Sequence, residues 1–195
     1  MAFYSREELE SLGFKSLGKN ISISKKASLY HTDAMEIGDN SRIDDFCLIT
    51  GKVILGRNVH IAPYCNVDGG DKGIYFGDFS GLAYACHAIT RSDDYSGNSL
   101  TNPTVPNEFK TSINKKINIG KHAILGAMSI ILPGVNIGEG TSIGAHSLIT
   151  KNTEDWAMYF GSPAKKIKKR SQKLLIDENL YLKYEQELLE KQEKI

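Results

Sequence analysis

From Ile117 to Thr150 an aliphatic residue returns at every sixth position: Ile119, Leu125, Ile131, Ile137, Ile143 and Ile149. Two positions before each stands a small or branched residue: Ile117, Ala123, Ser129, Val135, Thr141 and Ser147. Glycine follows the aliphatic at Gly120, Gly126, Gly138 and Gly144. A helix repeats every 3.6 residues and a plain strand every 2, so a strict six belongs to neither. A short fixed period marks a solenoid in which each hexapeptide supplies one flat side and a corner. The aliphatic and the residue two before it point inward, and the glycine is expected to serve a corner that needs positive φ. Three sides close one coil, and coils stack at about 4.8 Å. Ile119 then lies under Ile137, Leu125 under Ile143 and Ile131 under Ile149. One coil cannot bury its own inward face, so several are required. The fold class expected is all-β, a parallel β-helix.

The rhythm starts weakly at Ile23 and Leu29 and slips by two residues. It then holds through Ile37, Ile43, Ile49, Leu55, Ile61 and Val67. The segment Asp68-Gly69-Gly70-Asp71-Lys72-Gly73 inserts three residues, after which the row resumes at Phe76, Leu82 and Ala88. Cys47, Cys65 and Cys86 each stand two before an inward residue and read as small buried hydrophobes in a reducing compartment. The period fails from Thr90 to Asn114, a polar segment with Pro103 and Pro106 that must leave the coil as a loop. Long loops in compact folds are functional or disordered. Tyr95, Leu100, Val105 and Phe109 give this one apolar anchors and favour function.

The ends differ from the repeat. Ser5 and Glu8 form a capping box, with Tyr4 and Leu9 as a hydrophobic staple, and Gly13 closes the short helix. Residues 171–195 read as an amphipathic helix with Leu174, Leu175, Tyr181, Leu182, Leu188 and Leu189 on one stripe. The expected organisation is a single domain over 1–195. Residues 1–20 form an N-terminal cap, 21–155 the β-helix with its loop at 90–114, and 156–195 a C-terminal tail and helix. A formal net charge of +1 gives no global attraction to nucleic acid or anionic membrane. There is no apolar run long enough to span a bilayer, and MAFYSREELE lacks an apolar signal core, so a cytoplasmic protein is expected.

These rows, with ILPGVNIGEGTSIGAHSLITK and the closing GSPAKKIKKR, resemble the hexapeptide-repeat acyltransferases from about residue 20 to 170. The chain looks most like the galactoside and maltose acetyltransferases and the O-acetyltransferases encoded with bacterial surface-polysaccharide genes. The resemblance implies a left-handed parallel β-helix, a homotrimer and acetyl-CoA as acyl donor, with no metal. Handedness comes from the resemblance alone and runs against the usual crossover rule. Matched motif by motif, the CoA contacts implied are Gly126, Ala127, Gly144, Ala145 and Thr150, with Lys165 and Lys168 for the nucleotide phosphates.

The acceptor side departs from the pattern. In the galactoside enzymes a histidine opening the long loop is the general base, and the matching position here holds Asp93. The nearest imidazole is His87. Three possibilities stand: His87 is the base, Asp93 or Asp94 is, or the acceptor is an amine that needs no strong base. Asp94, Tyr95, Tyr64 and Asn66 are the further candidate sugar ligands. His60, His122 and His146 occupy outward repeat positions and read as surface histidines. The functions weighed are O-acetylation of a sugar hydroxyl, N-acetylation of a nucleotide-linked amino sugar, a γ-class carbonic anhydrase with three zinc histidines, and a non-enzymatic scaffold. O-acetylation is the leading expectation.

Overall fold

The computed structural model describes residues 2–192; Met1, the side chains of Leu189 and Gln192, and residues 193–195 lie outside that description. The hexapeptides build three parallel ladders. Face one stacks Ser16–Leu17, Glu36–Ile37, Val53–Leu55, Ile74–Phe76, Ile117–Ile119 and Asn136–Ile137. Face two stacks Ser22–Ile23, Arg42–Ile43, His60–Ile61, Gly81–Leu82, Ile124–Leu125, Ser142–Ile143 and Ala157–Phe160. Face three stacks Ser28–Tyr30, Leu48–Thr50, Asn66–Asp68, His87–Ile89, Ile130–Ile131 and Leu148–Ile149. Register follows the repeat, with Ile119 on Ile137, Leu125 on Ile143 and Ile131 on Ile149.

The inward rows make one continuous core. Ile43, Ile61, Leu125 and Ile131 are fully buried, as are the partners two positions earlier such as Ala123 and Ser129. The three thiols are free and buried, each donating to a carbonyl of the next coil: Cys47 to Ala62, Cys65 to Ala83 and Cys86 to Gly126, all at 3.1 Å.

The corner chemistry differs from the expectation. Positive φ falls three residues after the inward aliphatic, at Asn40, Asn58, Phe79 and His122 before face two, and at Phe46, Tyr64, Ala85, Met128 and His146 before face three. The glycines directly after the aliphatic have another purpose. A Cβ on Gly120 would stand 2.6 Å from the Glu139 amide nitrogen, and one on Gly126 would collide with the amide of Ala145. They allow the coils to touch backbone to backbone.

Both ends run further than expected. Ser16–Leu17 already pairs with Glu36–Ile37, so the ladder begins before residue 21. Ala157–Phe160 adds a strand beyond 155, and Lys165–Lys169 turns back antiparallel on it, so part of the expected tail is an edge strand. Helix α1 (Arg6–Ser11) carries the capping box and covers the open lower end with Leu9. Helix α2 (Leu174–Gln192) runs down the outside of the solenoid against the corner between faces one and two. Leu174, Leu175, Tyr181 and Leu182 of its expected stripe are half-buried, whereas Leu188 is exposed.

Candidate functional site

The loop is a built element. Arg91–Asp93 pairs antiparallel with Ser112–Asn114, making a stem that leaves the coil at the end of face three. Arg91 anchors its root with Nη2 2.9 Å from Asp68 Oδ1 and Nε 3.1 Å from Oδ2. Between the stem and face three lies a cleft of about 870 Å³, walled by Ile89, Asp93, Lys110, Leu132 and Pro133, with Tyr95 at its rim.

Adjacent carboxylates have opposite roles here. Asp94 turns into the loop. Its oxygens accept from the Ser96 hydroxyl at 2.6 Å and from the amides of Ser96, Asn98 and Ser99 at 2.8, 2.9 and 3.0 Å. The Ser96 hydroxyl and amide, more than offsetting desolvation, hold its carboxyl below the usual range. Asp94 is therefore a turn-forming residue, with both carboxylate oxygens engaged inside the loop. Asp93 accepts through Oδ2 from the Asn102 amide at 2.9 Å. Its Oδ1 has no hydrogen-bond partner among the described residues, and the side chain lines the cleft.

His87 lies on face three between Asn66 and Ile130. It points outward on the same side as Ile89, which does line the cleft. Beside it Asn66 Oδ1 is buried and has no hydrogen-bond partner among the described residues. Tyr64 is placed elsewhere, at the corner where face three begins, stacked on Phe46 with ring centroids 5.1 Å apart. The structure thus gathers Asp93 and Tyr95 at the cleft, sets His87 and Asn66 beside it, and leaves Tyr64 at the far edge of the same face.

The residues expected to hold CoA divide similarly. Gly126 and Ala127 stack under Gly144 and Ala145 at the corner between faces two and three, and Phe160 rests on Gly144. Lys165 pairs with Phe160 and Lys168 with Met158. Strand alternation alone would turn these two lysines to opposite sides. A register shift opposite Met158/Tyr159 leaves Ile167 as the extra residue and returns both lysines to one side. Lys166 faces the other way and binds Glu154 at 2.5 Å. Thr150 lies apart from this row, one coil above the cleft wall at Leu132.

His122 is the largest departure from the sequence reading. It is 7% exposed, not a surface histidine. It stacks on Phe79 at 5.3 Å and its Nε2 donates to Glu178 of α2 at 2.9 Å. His60 instead bonds Asp44 at 2.8 Å on the outside of face two, and His146 is exposed. Among the described residues no group of three His, Cys, Asp or Glu side chains is placed to hold a metal ion.

Residues 34–69 and 116–151 match the family model described as bacterial transferase hexapeptide (six repeats). Over 184 residues the chain is 39% identical to the dTDP-4-amino-4,6-dideoxy-D-glucose acyltransferase of Escherichia coli, covering 93% of this chain and 95% of that one. The chain belongs to the bacterial hexapeptide transferase family. This hexapeptide transferase also superposes, with a TM-score of 0.93 and 46% identity over 94% of its length and 98% of the other's, on AntD, an N-acyltransferase from Bacillus cereus solved with dTDP and 3-hydroxybutyryl-CoA. Its likeness to the galactoside O-acetyltransferase of Lactococcus lactis is 36% over 125 residues, 56% of this chain and 59% of that one. The expected family, acyltransferase chemistry and solenoid all hold for this hexapeptide transferase. No helix among its described residues is long and apolar enough to cross a membrane.

Sequence reasoning missed Lys110 in the cleft, Asn102 whose backbone bonds Asp93 and Lys110, and Glu178 against His122. The first two lie in the aperiodic loop, where position carries no information about direction. Glu178 reaches His122 across 56 residues of chain.

Proposed function

We propose that this transferase moves an acyl group from an acyl-CoA to the amine of a nucleotide-linked 4-amino-4,6-dideoxy sugar. The observation that carries this is the cleft itself: Asp93 presents a free carboxylate oxygen there, and no histidine lines it among the described residues. An amine on carbon titrates at about 8 to 10 and arrives mostly as the ammonium, for which a carboxylate is the matching ligand. A hydroxyl calls instead for an imidazole matched to neutral pH. The near full-length likeness to proteins that carry an amino-sugar or N-acyltransferase name supports the same reading. One AntD variant was solved with dTDP-4-amino-4,6-dideoxyglucose and coenzyme A.

In this reading Asp93 holds the acceptor and receives or passes on its first proton. The neutral amine attacks the thioester carbonyl, a C–N bond forms and the C–S bond breaks. The second proton leaves the nitrogen and the CoA thiolate ends protonated. Lys165, Lys168 and the corner at Gly126, Ala127, Gly144 and Ala145 hold the CoA, with Thr150 on the acceptor side. A homotrimer belongs to the proposal. The outward row Phe46, Tyr64, Tyr84 and Met128 is over half exposed on each residue and is apolar surface that a neighbouring copy would bury. A cytoplasmic location belongs to it as well, and the free thiols suit a reducing compartment. Sugar O-acetylation is the second reading, supported by the shorter likeness to galactoside O-acetyltransferase.

The test is thiol release from acetyl-CoA and 3-hydroxybutyryl-CoA with dTDP-4-amino-4,6-dideoxyglucose against a panel of galactosides and maltose. Turnover with the amine is expected. Asp93→Asn should lower kcat by about two orders of magnitude, with His87→Ala well above it. Turnover confined to hydroxyl acceptors, with His87→Ala inactive, would overturn the proposal and restore sugar O-acetylation, with His87 as its base, as the reading.

A further inference from the structure

Asn102, in the loop, has a left-handed backbone with φ 78°. Its amide donates to Asp93 Oδ2 at 2.9 Å and its carbonyl accepts from Lys110 Nζ at 2.9 Å. The backbone of one residue therefore holds an anion and a cation that both line the same cleft. They form no ion pair with each other. Two 2.9 Å bonds joined through one residue keep them within about 9 Å. The other cation in the wall, Arg91, is neutralised by Asp68. Among the described residues Lys110 is the cation of this cleft without a carboxylate partner, and it is only half exposed.

Such a pair fits a zwitterion about one hexose long, with an ammonium at one end and a phosphate ester at the other. We infer that Lys110 binds the sugar-proximal phosphate of a nucleoside-diphosphate amino sugar while Asp93 binds the amine, and that Asn102 sets their separation. The inference rests on the acceptor class proposed above and adds the residue that distinguishes the nucleotide-linked sugar from the free one. A partly desolvated ammonium on a phosphate makes a charge-assisted contact, and losing it weakens binding without touching the reacting atoms.

Two measurements test this. In steady state, Lys110→Ala should raise the acceptor KM about ten- to a hundredfold, with kcat and the acyl-CoA KM moved little. Lys110→Gln keeps a donor for the Asn102 carbonyl without the charge and should behave alike, which separates loss of charge from a loosened loop. Lys110→Arg should recover most of the affinity. In calorimetry with dTDP alone, the parent should bind and Lys110→Ala should weaken by the same factor. A parent that does not bind dTDP, or a Lys110→Ala protein that binds it equally well, overturns the assignment. A parent that binds dTDP through Lys110 yet acylates no dTDP-linked amine leaves the assignment standing and refutes the acceptor reaction.

Discussion

Removing the Glu178 carboxylate should release α2 from the solenoid. Glu178 sits against the corner before face two, 9% exposed, with Oε2 2.9 Å from His122 Nε2 and Oε1 2.5 Å from Lys121 Nζ. Burial pushes its carboxyl upward, but the hydrogen bonds and charges of Lys121 and His122 outweigh this and hold it below the ordinary value. In Glu178→Ala the His122 ring, 6% exposed, loses its partner while Phe79 still covers it. One buried charge-assisted hydrogen bond lost in this way costs about 2 kcal/mol. The Lys121 contact adds little, because that ammonium is 38% exposed and well screened. About 2 kcal/mol corresponds to roughly a thirtyfold fall in the docked-to-undocked ratio. Amide exchange along α2 should speed up by about that factor near neutrality, while amides inside the coils keep their protection. The pH dependence has a definite sign. The folded pKa is depressed, so the contribution is complete above the ordinary carboxylate value of 4.5 and is lost as pH falls below it. The parent taken into that acid range should therefore approach the exchange pattern that Glu178→Ala shows at neutrality. Unchanged α2 protection in Glu178→Ala would refute the reasoning and assign the attachment to contacts such as the Asn58–Tyr181 and Asn40–Glu185 hydrogen bonds and the Arg57–Glu185 ion pair.

Two further outcomes follow from the coil geometry and its upper edge. Gly120→Ala places a methyl 2.6 Å from the Glu139 amide nitrogen; it should destabilise by about 1–3 kcal/mol, read as a lower urea midpoint at unchanged slope. Lys165→Ala with Lys168→Ala should weaken CoA binding by about tenfold or more in calorimetry, the effect shrinking for a donor that lacks the nucleotide; if Lys166→Ala weakens it as much, the bulge at Ile167 does not sort these lysines.

The solenoid was legible because the repeat is self-announcing. Each inward residue meets the same surroundings one coil above and below, so a local pattern carries global information. Ile119, Leu125 and Ile131 could be placed in the core, and Cys47, Cys65 and Cys86 in a stacked row, before any contact was known. The role of the corner glycines was harder to read, since positive φ and close approach favour the same residue. Gly120 and Gly126 prove to answer the second need, while Asn40, Tyr64 and His122 occupy the left-handed positions.

What only the tertiary structure decided lies where the period stops. Asp93 and Asp94 are neighbours of the same type; Asp94 closes a turn on the next five residues, but that Asp93 faces the cleft depends on how the loop folds back at Asn102. Lys165 and Lys168 fall on opposite sides by simple alternation, and a single extra residue in the pairing brings them together. His122 reads as exposed until a helix starting more than fifty residues later covers it. The sequence by itself determined the coil, because one short-range rule repeated many times leaves a single way to bury the aliphatic rows. It left the chemistry open, because loop direction, strand register and helix docking depend on contacts between segments that share no period.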